Sequence, residues 1–121
     1  MKKLTVVATG RMVSVAKESI LELEREGLSC GLYNARFLKP MDEAAVNTLK
    51  NCKAVVTIED GVREGGMGEH IAAALPGVPV TLLTLPSSPL PAGTMDELLA
   101  LSGLSKAGVR ESIKKVAEKV R

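Results

Sequence analysis

TIEDGVREGGMGEHI, residues 57–71, is the stretch that decides the fold of this 121-residue chain. It continues an apolar run that starts at Ala54, and it places the carboxylates Glu59 and Asp60 ahead of four glycines, before helix-forming composition resumes at Ile71. This pattern predicts a strand, a glycine-rich turn and a helix. In a parallel sheet, the turn after a strand is where helix N-termini present free N–H groups to ligands. We therefore expect any site in this chain to include the turn.

The glycines of the turn match neither of the two familiar nucleotide-binding motifs. Gly61 and Gly66 have the Walker spacing, but Met67 stands where a lysine is needed. Gly66 and Gly68 start a dinucleotide fingerprint whose third glycine position is Ile71. Two interpretations stay open. The glycines either permit a positive φ and close packing of helix on strand, or they contact an anion or a cofactor.

On both sides of this turn, apolar strands alternate with amphipathic helices. Strands are predicted over residues 4–9, 28–33, 54–59 and 79–85. The first helix is predicted to begin at residue 12 and to be stopped by Gly27, and the second to run from its cap Asp42 to about residue 52. Three more helices are predicted, from the glycine-rich turn to residue 75, over 95–101 and over 106–120. The strands lack polar alternation, as in a parallel sheet that is covered on both faces. The pattern predicts one domain over residues 1–121, a three-layer α/β/α sandwich with a mainly parallel sheet.

Composition narrows the functional classes. The net charge is +2 and aromatic residues make up 2% of the chain, which argues against a nucleic-acid-binding surface. No apolar run approaches the ~20 residues that span a bilayer, so we expect a cytoplasmic protein without a membrane partner. Cys30 and Cys52 lack metal-ligand spacing and are predicted to be buried thiols. The basic residues of the last helix indicate either a solvated surface or an acidic partner.

Four separated blocks of sequence resemble one known family. They are ATGRMV at 8–13, NARFLKPMD at 34–42, the glycine-rich stretch at 57–71, and LPSSPLPAGTMDELLALSGLSKAGV at 85–109. In this order and spacing they resemble the C-terminal domain of transketolase-type enzymes. Within that family they are most similar to the 1-deoxy-D-xylulose-5-phosphate synthase branch, with transketolase and the pyruvate dehydrogenase beta subunit as relatives. The resemblance covers nearly the whole chain.

The resemblance implies a transferase that uses thiamine diphosphate and magnesium to form an acyl or glycolaldehyde carbanion equivalent, with a place in isoprenoid biosynthesis. In such enzymes the cofactor lies between two other domains. We therefore expect this chain to hold no cofactor, no metal and no catalytic residue, and to serve domain packing and dimerisation. The implied partners are upstream thiamine-binding domains, or a separate subunit that carries them, and a second copy of the chain.

Two other functional classes stay open beside the family. One is a free-standing regulatory module that binds an anionic ligand at the glycine-rich turn, and the other is a small independent hydrolase or transferase of flavodoxin-like architecture. The residues nominated as an interface or as an anion-binding rim are Arg36, Lys39, Asp42, Glu59, Arg63, Gly65, Gly66, Gly68 and His70.

The nominated residues carry alternatives of their own. Arg36 and Arg63 can meet a helix N-terminus at one rim and attract a phosphate or a carboxylate. Alternatively, Arg36 pairs with Asp42 or Glu59 and stiffens that rim. His70, one turn into a helix, is either an acid–base group or a structural residue.

Two features of the family have no match here. The family's sheet has five strands, and its first, antiparallel strand precedes the segment that corresponds to residues 4–9. Neither the acidic Gly-Asp-Gly segment that holds magnesium and diphosphate nor the glutamate that activates the aminopyrimidine has a counterpart. We therefore expect a domain fragment or split subunit that lacks the antiparallel edge strand, is inactive alone, and self-associates through the bare edge or the family's dimer face.

Overall fold

The computed structural model describes residues 3–34, 43–62, 66–85 and 104–120. Strands and helices alternate along these ranges. The strands are β1 (Leu4–Ala8), β2 (Gly31–Asn34), β3 (Ala54–Val62) and β4 (Val80–Leu85). The helices are α1 (Met12–Arg25), α2 (Glu43–Lys50), α3 (Met67–Ala74) and α4 (Lys106–Val120).

The strands form one sheet in the order β2-β1-β3-β4, and every neighbouring pair is parallel. In the register of the sheet, Val6 lies beside Leu32 on one side and Val56 on the other. The pairing of β3 with β4 is regular as far as Ile58 and then shifts before Val62. The predicted α/β/α sandwich with a mainly parallel sheet is therefore confirmed. No antiparallel strand occurs within the described ranges.

The two faces of the sheet are covered by different helices. Side chains alternate along a strand, so Val6 and Val56 point to one face, whereas Val7 and Val55 point to the other. Helices α1 and α4 cover the first, which we call the α1/α4 face, and it holds the larger apolar cluster. Helices α2 and α3 cover the α2/α3 face. Its buried apolar cluster consists of Val7, Leu49, Cys52, Val55, Ile71 and Leu75.

Local chemistry explains where the helices end. Helix α1 stops at Arg25 because Gly27 adopts φ +85°, a conformation that favours glycine. Helix α4 begins after Ser105, whose Oγ accepts a hydrogen bond from the Gly108 N–H at 3.2 Å. The predicted bounds of α4 are confirmed. Helix α3 ends before the turn at Gly77, which has φ +90°.

Two predicted strand bounds were wrong by three residues, and the other differences are of one residue. Strand β2 begins at Gly31 and not at Leu28. Leu28 and Cys30 lie in the buried core ahead of the strand, so their apolar character indicates burial and not the start of β2. Strand β3 continues past the predicted end to Val62. Both cysteines are buried thiols outside any disulfide, as predicted, and Cys52 Sγ lies 3.1 Å from Thr5 Oγ1. The helix predicted over 95–101 lies outside the described residues.

None of the helices in the described ranges combines the length and the apolarity that crossing a membrane requires.

Candidate functional site

Glu59 links the end of β3 to the start of α3. Its side chain is buried, and the carboxylate accepts hydrogen bonds from two backbone N–H groups: Oε1 from Met67 at 3.2 Å and Oε2 from Gly68 at 2.8 Å. The first N–H groups of a helix have no partner within the helix, and the helix dipole favours negative charge there. Glu59 therefore caps α3 across the glycine-rich turn with two charge-assisted hydrogen bonds.

Gly68 lets α3 approach the sheet closely enough for this cap. A Cβ atom built on Gly68 would lie 2.6 Å from Thr57 Oγ1 and 2.9 Å from both Cγ and Cδ2 of Leu82. These distances are shorter than the contacts that real Cβ atoms make, so a side chain at this position would push the helix away from β3 and β4. Glycine is needed at position 68 for close packing, as one of the two interpretations of the turn predicted.

The same interpretation also allowed for a positive φ, and that part was wrong for Gly66. This residue precedes α3 with φ −83° and ψ 177°, which is extended backbone open to any residue type. Positive φ angles within the described ranges occur at glycines elsewhere, namely Gly10, Gly27 and Gly77. In the part of the turn that the structure describes, it is therefore the approach of the helix to the sheet that requires glycine.

Thr57 is a buried polar residue that sequence reasoning missed. Its Oγ1 is shielded from solvent and has no hydrogen-bond partner among the described residues, and it lies on the same side of β3 as Glu59, beneath Gly68. An unsatisfied buried hydroxyl reduces the stability of the folded state. A signal for it exists in the sequence. Thr57 is the one polar residue in the run AVVTI, two positions before Glu59, so that both side chains share a face of the strand.

The backbone N–H groups of Met67 and Gly68, at the start of α3, already donate to the Glu59 carboxylate. A diphosphate or another external anion would have to displace the Glu59 carboxylate from Met67 and Gly68. The described residues of this turn therefore do not fit the diphosphate of a thiamine cofactor. The described ranges also contain no group of three or more His, Cys, Asp or Glu side chains that could hold a metal ion.

The structure brings together some of the residues nominated from the sequence. Glu59, Gly66 and Gly68 meet at the junction of β3 and α3. The side chain of His70 is exposed on α3, and its backbone N–H donates to the carbonyl of Gly66 at 3.3 Å. The other nominated residues lie outside the described ranges, and their roles stay predictions: Arg36, Lys39, Asp42, Arg63 and Gly65.

A second polar feature lies at the rim of the α1/α4 face, where two acidic residues of α1 and its C-cap Glu26 oppose three basic residues of α4. We call it the charge ladder, and its members are Glu18, Glu22, Glu26, Lys106, Arg110 and Lys114. The shortest contacts join Lys106 Nζ to Glu22 Oε1 at 2.9 Å and Lys114 Nζ to Glu26 Oε1 at 3.0 Å. Both sets of residues repeat every four positions, so each set forms a row along one face of its helix. Two such rows of opposite charge are the sequence signal for the pairing.

The ladder alters the titration of its members. The hydrogen bond from Lys106 lowers the pKa of Glu22, and the same bond raises the pKa of Lys106. The hydrogen bond to Glu26 raises the pKa of Lys114. Beside the ladder is an open groove of about 480 Å³, lined by Glu22, Arg25, Lys106, Ala107 and Arg110. Part of the basic surface of α4 is thus paired within the chain, an arrangement that the sequence prediction had not considered.

A known family model matches most of this chain. The family is described as "Transketolase, C-terminal domain", and the match covers residues 1–109. Among curated proteins, 1-deoxy-D-xylulose-5-phosphate synthase from Halothermothrix orenii is 32% identical over an alignment 123 residues long, which covers 97% of this chain and 19% of the relative. The enzyme of that name from Chlorobium luteolum is 35% identical and is matched over 88% of this chain and 18% of its own length. The chain spans about a fifth of these relatives.

Solved structures share the fold. A structure described as "Split gene transketolase, inactive beta4 tetramer" superposes with a TM-score of 0.79 at 28% identity, covering 99% of this chain and 41% of that one. Transketolase from Campylobacter jejuni superposes with a TM-score of 0.69 at 19% identity, over 94% of this chain and 17% of its own. The second similarity is one of fold alone.

Proposed function

Because this chain belongs to the transketolase C-terminal domain family, we propose that it is the C-terminal domain of a thiamine-diphosphate-dependent transferase of the 1-deoxy-D-xylulose-5-phosphate synthase kind. One observation carries the proposal. Synthases of this name match nearly all of the chain, while the chain spans only about a fifth of their length. A domain of this size acts in the reaction together with upstream domains or with a subunit that carries them.

Within such an enzyme, the chain contributes packing between domains and dimerisation and does not hold the cofactor. The support for this role is the β3–α3 junction, where Glu59 occupies the helix N-terminus that a diphosphate would otherwise use. Thiamine diphosphate with magnesium, bound elsewhere in the complete enzyme, would supply the carbanion equivalent. Through the contacts of Glu59 with Met67 and Gly68, the described residues join the end of β3 to the start of α3.

The residues nominated from the sequence are part of the same proposal. We propose that Arg36, Lys39, Asp42 and Arg63 contact the neighbouring domains, together with Gly65 and Gly66. Glu59 and Gly68 hold α3 against the sheet, and the exposed side chain of His70 lies on the same helix.

A domain exchange tests the proposal. The matching C-terminal part of the Halothermothrix orenii synthase is replaced by this chain, and formation of 1-deoxy-D-xylulose 5-phosphate is measured beside the truncated enzyme. We expect the chimera to recover activity that the truncated enzyme lacks. A chimera with Gly68→Val is the matched control, because the altered junction should lose the recovered activity. A chimera that folds and assembles like its parent but stays as inactive as the truncated enzyme would contradict the proposal.

Calorimetric titration separates this function from the regulatory-module alternative. We expect the 121-residue chain to give no saturable signal with thiamine diphosphate and Mg²⁺, or with inorganic pyrophosphate. Saturable micromolar binding of pyrophosphate that strengthens in a Glu59→Gln variant would favour an anion-binding module at the turn.

A further inference from the structure

The outer edge of β4 has no strand beside it within the described residues. The N–H of Val55 donates to the carbonyl of Pro79 at 3.0 Å, which shows that the odd-numbered residues of this segment direct their backbone groups toward β3. In a parallel pair, successive residues direct these groups to opposite sides. The N–H and C=O groups of Val80, Leu82 and Thr84 therefore point away from the sheet.

This edge lacks the usual protection against pairing. Edge strands are commonly shortened, or they carry lysine or proline, because unpaired N–H and C=O groups are a template for another strand. Strand β4 is six residues long, VTLLTL, with no charged residue, no proline and no glycine. The opposite edge strand, β2, has only four residues and includes Gly31 and Asn34.

The side chains of the three outward-directed residues also share one surface. Val80 packs against the apolar cluster of the α2/α3 face, and Leu82 lies over Gly68 of α3. Because side chains alternate along a strand, Thr84 follows on the same side. The edge therefore presents backbone groups and apolar or β-branched side chains in a fixed register.

We propose that this edge is a docking surface for β4 of a second copy of the chain, in an antiparallel arrangement that joins two sheets into one. A twofold axis beside Leu82 places this residue opposite its own copy and places Val80 opposite Thr84 of the second copy. In antiparallel sheets, such closely bonded pairs exchange both N–H···O bonds, so three pairs supply about six hydrogen bonds.

The edge suits its own copy because it is self-complementary. The outward-directed residues lie symmetrically about Leu82, so the twofold arrangement leaves none of their donors or acceptors unmatched. Identical charged strands would repel each other, but this strand is uncharged. The cross-strand side-chain pairs are Leu with Leu and Val with Thr, which are favourable in sheets. The inference stands apart from the catalytic role of the domain.

Hydrogen exchange of the wild-type chain tests the inference directly. Sedimentation velocity is measured from micromolar to millimolar concentration, together with amide exchange by NMR. We expect a monomer–dimer equilibrium in which the amides of Val80, Leu82 and Thr84 become protected as the dimer forms. The amides of Thr81 and Leu83 bond to β3 and should be protected at every concentration. A chain that stays monomeric, or a dimer whose three outward amides exchange as freely as in the monomer, overturns the proposal.

A pair of variants tests the bonds at this edge. Thr84→Pro removes one outward N–H that the monomer does not use, whereas Thr84→Val keeps it and preserves the side-chain shape. We expect Thr84→Pro to weaken dimerisation by about tenfold or more and Thr84→Val to change it by less than about threefold. Thermal unfolding of each monomer confirms that both variants fold. Equal dimerisation of the two variants would show that the interface lies elsewhere.

Discussion

The two faces of the sheet are held by different kinds of interaction. On the α1/α4 face, apolar side chains such as Leu23, Val56 and Ile113 are fully buried. The polar contacts there include the exposed charge ladder and the buried Ser19 hydroxyl, which donates to the carbonyl of Lys106 at 3.4 Å. On the α2/α3 face, the apolar cluster is smaller, and it adjoins the buried polar residues Thr57 and Glu59.

This difference separates two sources of stability. Apolar burial on the α1/α4 face has no directional requirement, so volume-conserving substitutions are tolerated there. The junction on the α2/α3 face depends on individual atoms, because α3 reaches its cap only while nothing larger than hydrogen lies between Gly68 and Thr57. We therefore expect the most damaging single substitutions at the smaller core.

Gly68→Val should have the largest effect. The added side chain would meet Thr57 and Leu82 at less than normal contact distance, so we expect a loss of about 3 kcal/mol in the free energy of unfolding. Urea denaturation measures it. Gly66→Ser is the matched control in the same turn, because its φ of −83° suits any residue and serine is a good N-cap, so its change should stay within ~0.5 kcal/mol. Equal losses in the two variants would contradict the close-packing explanation.

Glu59→Gln should have the second largest effect on stability. The amide presents one acceptor and one donor where the carboxylate presented two acceptors, so one N–H of α3 loses its bond in a buried position. We expect a loss of about 2 kcal/mol in the free energy of unfolding. Glu24→Gln makes the same change of charge at an exposed position and should leave the midpoint of urea denaturation nearly unchanged. A similar loss of stability in both variants would show that it comes from the removed charge and not from the broken cap.

Thr57→Val should have a smaller effect of opposite sign. The substitution replaces a buried hydroxyl, for which the described part of the chain offers no partner, by a methyl group of similar size. We expect the free energy of unfolding to rise by about 1 kcal/mol. Thr5→Val is the control on the neighbouring strand, because the Thr5 hydroxyl contacts Cys52 Sγ at 3.1 Å and its removal should bring no gain. If Thr57→Val destabilises the protein in thermal unfolding, the hydroxyl has a partner in solution.

Glu22→Gln should have the smallest effect, because the charge ladder is exposed and solvent screens it. Since the folded-state pKa of Glu22 lies below its ordinary value of 4.5, the contribution is present above that pH and is lost as the pH falls through the folded-state value. Stability measured against pH should therefore differ between variant and wild type at pH 7 and converge in acid. The difference should also shrink in high salt. A difference that persists in molar salt would contradict the screened-pair explanation.

Much of this molecule follows from local patterns. The apolar runs that contain Val6 and Val56 identify central strands because such strands are buried on both faces. Helix α4 was predicted with its observed bounds, since apolar spacing and the cap at Ser105 act within a few residues. Strand β2 was placed too early because apolar composition reports burial and does not distinguish a paired strand from a buried loop.

The sequence predicted where the candidate site lies but not which interactions form it. Glycine spacing correctly directed attention to the turn before α3, yet spacing alone does not distinguish a positive φ from a close approach. Gly66 and Gly68 look alike in the sequence and differ in the structure, where one is extended and the other lies over Thr57. The cap by Glu59 spans eight and nine residues to its two donors, beyond the range of local capping patterns.

The sequence by itself determined the order of strands and helices, the parallel sheet and the resemblance to transketolase C-terminal domains. These depend on periodicity and motif order, which are properties of neighbouring residues. Only the tertiary structure decided that Glu59 closes the N-terminus of α3, that Thr57 Oγ1 finds no partner in the described ranges, and that α1 and α4 pair their charges. The physical reason is that a hydrogen bond or an ion pair depends on distances between atoms, and for residues far apart in the chain those distances exist only after the sheet and helices have packed.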